Sequence, residues 1–202
     1  NYTAANAARE VELRSGDGKL IRTLVENKEM AERLKTLPQK EFFTFTTERG
    51  DALNAYIVKP LDFDPTKKYP VLLTQYSGPG SQSVADSFSM GWESVMVANG
   101  YIVVCCDGRG TGYMGEKFKK QTYGNLGALE VEDQISFARY MASQPYVDAE
   151  RIGIYGWSYG GFMALGCALK GDGLFKMAIA VAPVTSWRYY DTIYTEIYND
   201  LP

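Results

Sequence analysis

The chain has 202 residues, 46% of them hydrophobic, and a formal net charge of −3. That length suits one compact domain with a short appendage, and the apolar share supports a real core, which excludes wholesale disorder. The charge is too small to argue for nucleic acid or a basic membrane patch, and no apolar run approaches the ~18–20 residues that span a bilayer. The opening "NYTAANAAREVELRS" has no basic cap followed by an apolar stretch, so it does not read as a signal peptide.

In chain order, "REVELRS", "GDG" and "KLIRTLVEN" predict a hairpin around a glycine-rich turn. "KEMAERLKTL" predicts a short amphipathic helix stopped by Pro38. One hairpin and one helix bury no core of their own, so residues 1–38 read as the end of something larger. From Glu41 the pattern changes. "FFTFTTERGDALNAYIVKP" predicts two strands joined at a Gly-Asp turn, and "YPVLLTQY" a strand covered on both faces. "SVADSFSMGWESVMVANG" has helical periodicity, and "YIVVCCD" is a second buried strand. "GALEVEDQISFARYMASQ" is a long helical stretch. "RIGIYG" then gives a strand, "YGGFMALGCALK" a helix and "FKMAIAVAP" a further strand. This alternation predicts an α/β fold for residues 39–202, a mostly parallel sheet with helices on both faces.

The three cysteines are an odd set, which leaves at least one thiol unpaired within the chain. Cys105 and Cys106 are strand neighbours pointing to opposite faces, which argues against a disulfide between them. All three are expected to be buried and unreactive. There is no CxxC spacing and no histidine, so no metal is expected, and no cofactor.

"GWSYG", Gly156 to Gly160, is a G-x-S-x-G pattern after a strand and before a helix. The two glycines remove side chains that would collide around a sharp, strained turn, and the turn lifts the Ser158 hydroxyl above the sheet edge. The Tyr159 N–H stands at the helix start, where donors and dipole favour an anion such as the oxyanion of acyl transfer. The loop "SGPGSQS" follows the strand ending at Tyr76. In hydrolases with this serine turn that loop supplies the second oxyanion donor; Tyr76 can give an O–H there, or can simply anchor its loop. A competing motif, G-x-G-x-x-G at Gly110 to Gly115 with Glu130 beyond it, resembles a dinucleotide fingerprint. It is set aside, because the following "EKFKKQTYGN" is polar and does not open a crossover helix.

"KKYPVLLTQYSGPGSQ", "DGRGTGY", "EVEDQISFARY", "RIGIYGWSYGGF" and "FKMAIAVAPVTSWRYYDTIYTEIYNDLP" run in unbroken order over roughly residues 67 to 202. With these blocks the chain resembles the catalytic domain of the prolyl oligopeptidase family of serine peptidases, and within it the bacterial dipeptidyl peptidase IV branch. The resemblance implies an α/β-hydrolase fold, incomplete at its C-terminal end, with residues 1–38 as the return from a β-propeller. It implies Ser158 as nucleophile and Tyr76 and Tyr159 as the oxyanion hole. Val184, Trp187, Tyr190 and Tyr194 would line the pocket for the residue preceding the cleaved bond. Arg109 and Asp133 would form a structural ion pair, Asp191 would be a structural hydrogen-bond partner and Tyr198 a packing residue. The implied substrates are peptides with proline or alanine in second position, cleaved to release N-terminal dipeptides; the implied partners are the rest of the same enzyme and a second copy in a homodimer. The implied site of action is the periplasm or cell surface. Independently of the resemblance, Trp187, Tyr190 and Tyr194 are spaced three and four apart and would share one helix face. A flat aromatic face suits a pyrrolidine ring, although the same spacing also fits a core-facing stripe.

The absence of histidine departs from the family. The catalytic Asp and His are expected outside these residues, with this chain a piece of a longer enzyme and inactive alone. The other readings are an acylaminoacyl peptidase or esterase on the same fold and a catalytically silent binding module.

Overall fold

A computed structural model of the chain describes residues 1–200; Leu201 and Pro202, which end the segment 39–202, lie outside the described residues. Strands β1 (Tyr2–Ala4), β2 (Ala7–Arg14) and β3 (Leu20–Val25) form a small antiparallel sheet of their own. The expected hairpin is β2–β3. Helix α1 (Lys28–Leu34) follows, shorter than expected. It stops four residues before Pro38 because the Gln39 side chain donates to the carbonyls of Leu34 at 2.7 Å and Leu37 at 2.6 Å, satisfying the helix end.

The rest is one layered unit. Its elements are β4 (Lys40–Thr46), β5 (Ala52–Val58), β6 (Tyr69–Thr74), α2 (Glu93–Ala98), β7 (Ile102–Asp107), α3 (Glu116–Lys119), α4 (Leu129–Ala142), β8 (Val147–Trp157), α5 (Tyr159–Lys170), β9 (Met177–Val181) and α6 (Thr192–Asn199). Six strands pair in the order β4-β5-β7-β6-β8-β9. β4 with β5 and β5 with β7 are antiparallel; β7 with β6, β6 with β8 and β8 with β9 are parallel. The apolar runs of β6 and β7 divide by the two-residue period of a strand. Val71, Leu73, Val104 and Cys106 join Ile152, Ile154, Phe137, Met141 and Met163 under α4 and α5. Leu72 and Val103 face the other way, onto Val97 of α2. Cys105 and Cys106 thus point to opposite faces as expected, and the three cysteines are free and buried.

The stretch 83–100 also departs from the sequence reading. Only Glu93–Ala98 of the stretch 83–100 is helical. The preceding loop is held by tertiary partners instead: the Asp107 carboxylate accepts from the N–H groups of Ser83 and Val84, and Asp86 accepts from the Ala5 N–H at 2.7 Å. The G-x-G-x-x-G run opens only the four-residue α3. Its glycines serve loop contact: Gly80 N donates to Gly110 O and Gly112 N to Ser81 O, each at 2.8 Å, and a Cβ on Gly112 would lie 2.7 Å from Gly80 O.

The topology places the site. From β6 the chain crosses through α2 to β7 on one side, then returns through α4 to β8 on the other side of β6. Where strand order reverses, the carboxyl ends of neighbouring parallel strands open a crevice. Here β6 ends at Thr74, directly opposite Tyr155, two residues before β8 ends at Trp157. Tyr76 and Ser158 follow them.

Candidate active site

Ser158 separates β8 from α5 with φ 58° and ψ −117°, a conformation an L-residue adopts only under constraint. The constraint is visible on both sides. Ser158 N donates to Val181 O of β9 at 2.9 Å, and Phe162 N donates to Ser158 O at 3.0 Å. A Cβ on Gly156 would stand 2.0 Å from Gly160 O, and one on Gly160 would stand 2.6 Å from Gln75 O. No side chain but hydrogen fits either place, so both glycines of the motif are required by close approach. Ser158 itself remains partly exposed.

Tyr76 extends from the end of β6, partly exposed, with its ring centroid 6.0 Å from that of Tyr159. Its neighbours in sequence are locked in a buried polar chain. Gln75 Nε2 donates to Gly160 O at 2.8 Å, Ser77 Oγ donates to Gln75 Oε1 at 2.9 Å, and Gln134 Nε2 donates to Ser77 Oγ at 3.1 Å and to Cys106 O at 2.9 Å. The loop carrying Tyr76 is thereby tied both to the serine turn and to α4. Burial first, and then the neighbouring Tyr190 and Tyr198 phenols, which would repel a phenolate, push the Tyr76 phenol above its ordinary pKa, further from ionisation at neutral pH.

The aromatic residues converge on the same place, but not on one helix as their spacing suggests. Trp187 lies in a 3₁₀ turn, Trp187–Tyr189; Tyr190 is extended at φ −89°, ψ 169°; and α6 begins only at Thr192. Asp191 causes the break, because its carboxylate caps α6 by accepting the Tyr194 N–H at 2.8 Å. Asp191 is therefore a structural hydrogen-bond partner, as expected. The rings meet regardless. Trp187 stacks on Tyr194 at 5.8 Å and 11°, Tyr190 meets Tyr194 edge-on at 5.5 Å, and Trp187 lies 5.5 Å from Tyr159. Tyr198 packs behind, 4.7 Å from Tyr194. Val184 sits partly exposed in the segment between β9 and Trp187, placed with the cluster by chain proximity rather than by ring contact.

Two buried carboxylates stand behind this surface. Asp133 accepts from the Arg109 backbone N–H at 2.7 Å and from its guanidinium at 2.6 Å, the structural pair the sequence suggested. Glu130 accepts from the Tyr159 hydroxyl at 2.6 Å and from Gly127 N at 3.0 Å. Sequence reasoning had considered Glu130 only in the discarded dinucleotide motif and had missed Gln75 and Gln134. One signal was present. Glu130 and Gln134 share the inward stripe of α4 with Phe137 and Met141, where polar residues need specific partners. No imidazole is available in the chain to activate Ser158.

A family model described as the prolyl oligopeptidase family matches residues 87–202, more than half of the chain. A protein of Paracoccidioides lutzii named "Probable dipeptidyl-aminopeptidase B" is 50% identical over 184 residues, covering 89% of this chain and 20% of that relative. One of the same name from Sclerotinia sclerotiorum is 47% identical over 192 residues, covering 93% of this chain and 21% of that relative. The crystal structure of Porphyromonas gingivalis dipeptidyl peptidase 4 superposes with a TM-score of 0.95 at 50% identity, covering all of this chain and 29% of that one. The chain thus spans about a fifth of the length of these curated relatives. Its mixed sheet, its helices on both faces and the strained serine turn are those of an α/β-hydrolase fold, and the chain belongs to the prolyl oligopeptidase family.

Proposed function

We propose that this chain is the nucleophile-bearing part of a serine exopeptidase that releases N-terminal dipeptides with proline or alanine in second position. The observation that carries the reading is the strained Ser158 at the strand-order reversal, with Tyr159 next in the chain and the Tyr76 ring 6.0 Å from the Tyr159 ring. Ser158 Oγ would attack the scissile carbonyl. The Tyr159 N–H and the Tyr76 O–H would hold the oxyanion, and the Trp187–Tyr190–Tyr194 rings, with Val184, would receive the pyrrolidine. The names of the relatives above support the dipeptidyl register. The base and its acid would come from residues outside these 202, since the chain has no histidine. The small β1–β3 sheet fits the return of a propeller into the hydrolase domain. Homodimerisation and a periplasmic or cell-surface site of action belong to the same reading, resting on family resemblance.

The test uses the full-length protein. The wild type should react with a fluorophosphonate probe and release p-nitroaniline from a glycyl-prolyl anilide. Ser158→Ala should lose both. Labelling that survives Ser158→Ala would remove the nucleophile assignment, and turnover of esters without turnover of the anilide would replace the peptidase by an esterase.

A further inference from the structure

Glu130 is fully buried, in the first turn of α4. Among the described residues it forms no ion pair; its partners are two neutral donors, the Tyr159 hydroxyl at 2.6 Å and the Gly127 N–H at 3.0 Å. Placing a carboxylate there is costly, and burial does push it up from its ordinary pKa. The two donors and the N-terminal end of the α4 dipole offset part of that cost. A pair of apolar residues would fill the same space more cheaply. Packing alone therefore does not account for the pair. What distinguishes it is where its other end is attached. Tyr159 is the first residue of α5, next to Ser158, and its backbone N–H is the donor assigned to the oxyanion. Its ring is buried against Tyr76 at 6.0 Å, Trp187 at 5.5 Å and Phe162 at 5.5 Å. The ring contacts hold its faces and edges, and the hydroxyl contact holds its far end.

We propose that Glu130 is a positioning residue for the oxyanion site: by accepting the Tyr159 hydroxyl it anchors the far end of the side chain whose backbone N–H follows the nucleophile, and so ties the α4 N-terminus to the serine turn. The claim rests on the acyl-transfer reading of Ser158, and it adds a residue that never touches substrate. An error of about 1 Å in such a donor can cost on the order of 10²-fold in rate, so the effect belongs in kcat rather than in KM.

The test is made in the full-length protein with three readouts: thermal midpoint, kcat and KM on a glycyl-prolyl anilide, and the rate of Ser158 labelling by a fluorophosphonate, whose P=O oxygen occupies the oxyanion site. The double variant Glu130→Leu/Tyr159→Phe removes both polar ends together, a change that is often nearly neutral for stability. It should keep a thermal midpoint close to wild type while kcat and the labelling rate fall by roughly 10- to 10²-fold, with KM within about twofold. Glu130→Gln keeps an acceptor for the phenol but turns an amide N–H₂ toward Gly127 N–H. It should lower the midpoint yet hold kcat within about threefold of wild type, a rescue that a purely structural role would not give. Wild-type kcat and labelling in the double variant would overturn the proposal, as would a Glu130→Gln enzyme as slow as the double variant. If the double variant does not fold, Tyr159→Phe alone takes its place, with the same expected fall in kcat and labelling rate, and wild-type rates in it would overturn the proposal. Wild-type protein that labels at Ser158 but cleaves no dipeptidyl anilide would sink the peptidase reading and leave the positioning claim to the labelling rates; wild type that does not label would sink both.

Discussion

Ser158 carries a backbone strain of about 1–3 kcal/mol that nothing in its own side chain repays. The strain persists because Val181 O and Phe162 N grip the residue from both sides and because Gly156 and Gly160 let the flanking backbones touch. Tyr76 has a different standing. Its hydroxyl is free of structural duty, while its sequence neighbours Gln75 and Ser77 are clamped. Tyr76→Phe in the full-length protein should therefore leave the fold intact and lower kcat by roughly 10²–10³-fold with little change in KM. Steady-state kinetics check this, and a change confined to KM would make Tyr76 a substrate-positioning group. The cysteines lie at the opposite extreme. Burial pushes Cys167 up to about 12 and Cys105 and Cys106 above the ordinary thiol range. The thiolate is the reactive form and these raised values keep it vanishingly scarce at pH 8. Mass spectrometry after iodoacetamide treatment at pH 8 should find these three unmodified in the native protein and modified in urea.

At the scale of the elements, the segment carrying Trp187, Tyr190 and Tyr194 is interrupted, and the interruption matters. A continuous helix would line Trp187, Tyr190 and Tyr194 up along one stripe. The Asp191 cap instead lets the Trp187 turn fold back, so that its indole lies parallel to the Tyr194 ring and offset from it while Tyr190 closes one side. The spacing of the three residues was legible in the sequence, but the break was not. Asp at an N-cap and Asp within a helix look alike until the φ and ψ of the Asp itself are known, here −63° and 149°. The resulting box makes a sharp expectation. Trp187→Ala should reduce kcat/KM for a glycyl-prolyl anilide far more than for a small acetyl ester, by about 10-fold or more in the ratio, because removing a large aromatic wall costs on the order of 2 kcal/mol for the ligand that fills it. Equal losses on both substrates would argue against a dedicated proline box. The α4 stripe teaches the same lesson. Its apolar members were readable from periodicity, whereas Tyr159, which Glu130 holds, and Ser77, which Gln134 holds, lie 29 and 57 residues away and had no local signature.

For the whole molecule, the sheet explains both the site and a liability. β6 and β7 are buried between α2 on one face and α4 with α5 on the other, but β9 has only β8 beside it among the described residues. Met177 and Ile179 of β9 are 43% and 39% exposed. An open apolar edge invites pairing with another chain. The 202-residue chain expressed by itself should self-associate, and Ile179→Lys should shift it toward monomer, as measured by light scattering; an unaltered monomer in both cases would show that the edge is harmless. The small N-terminal sheet is held to the larger unit by specific polar ties. Asn6 and Lys40 exchange two hydrogen bonds of 2.9 Å, and Ala5 N reaches Asp86.

The amino-acid sequence alone determined the strands and the long helices α4 and α5 of the hydrolase unit, because continuous apolar runs and three-to-four-residue periodicity are local properties of burial on a two-sided sheet. It also determined the serine turn, because two glycines around a serine between strand and helix leave few other conformations. Only the tertiary structure decided that residues 83–92 are a tethered loop, that Asp191 divides the aromatic segment, and that Glu130 reaches Tyr159. In each case the deciding partner is either a single hydrogen bond or a residue far along the chain, and neither imposes a period on the sequence around it.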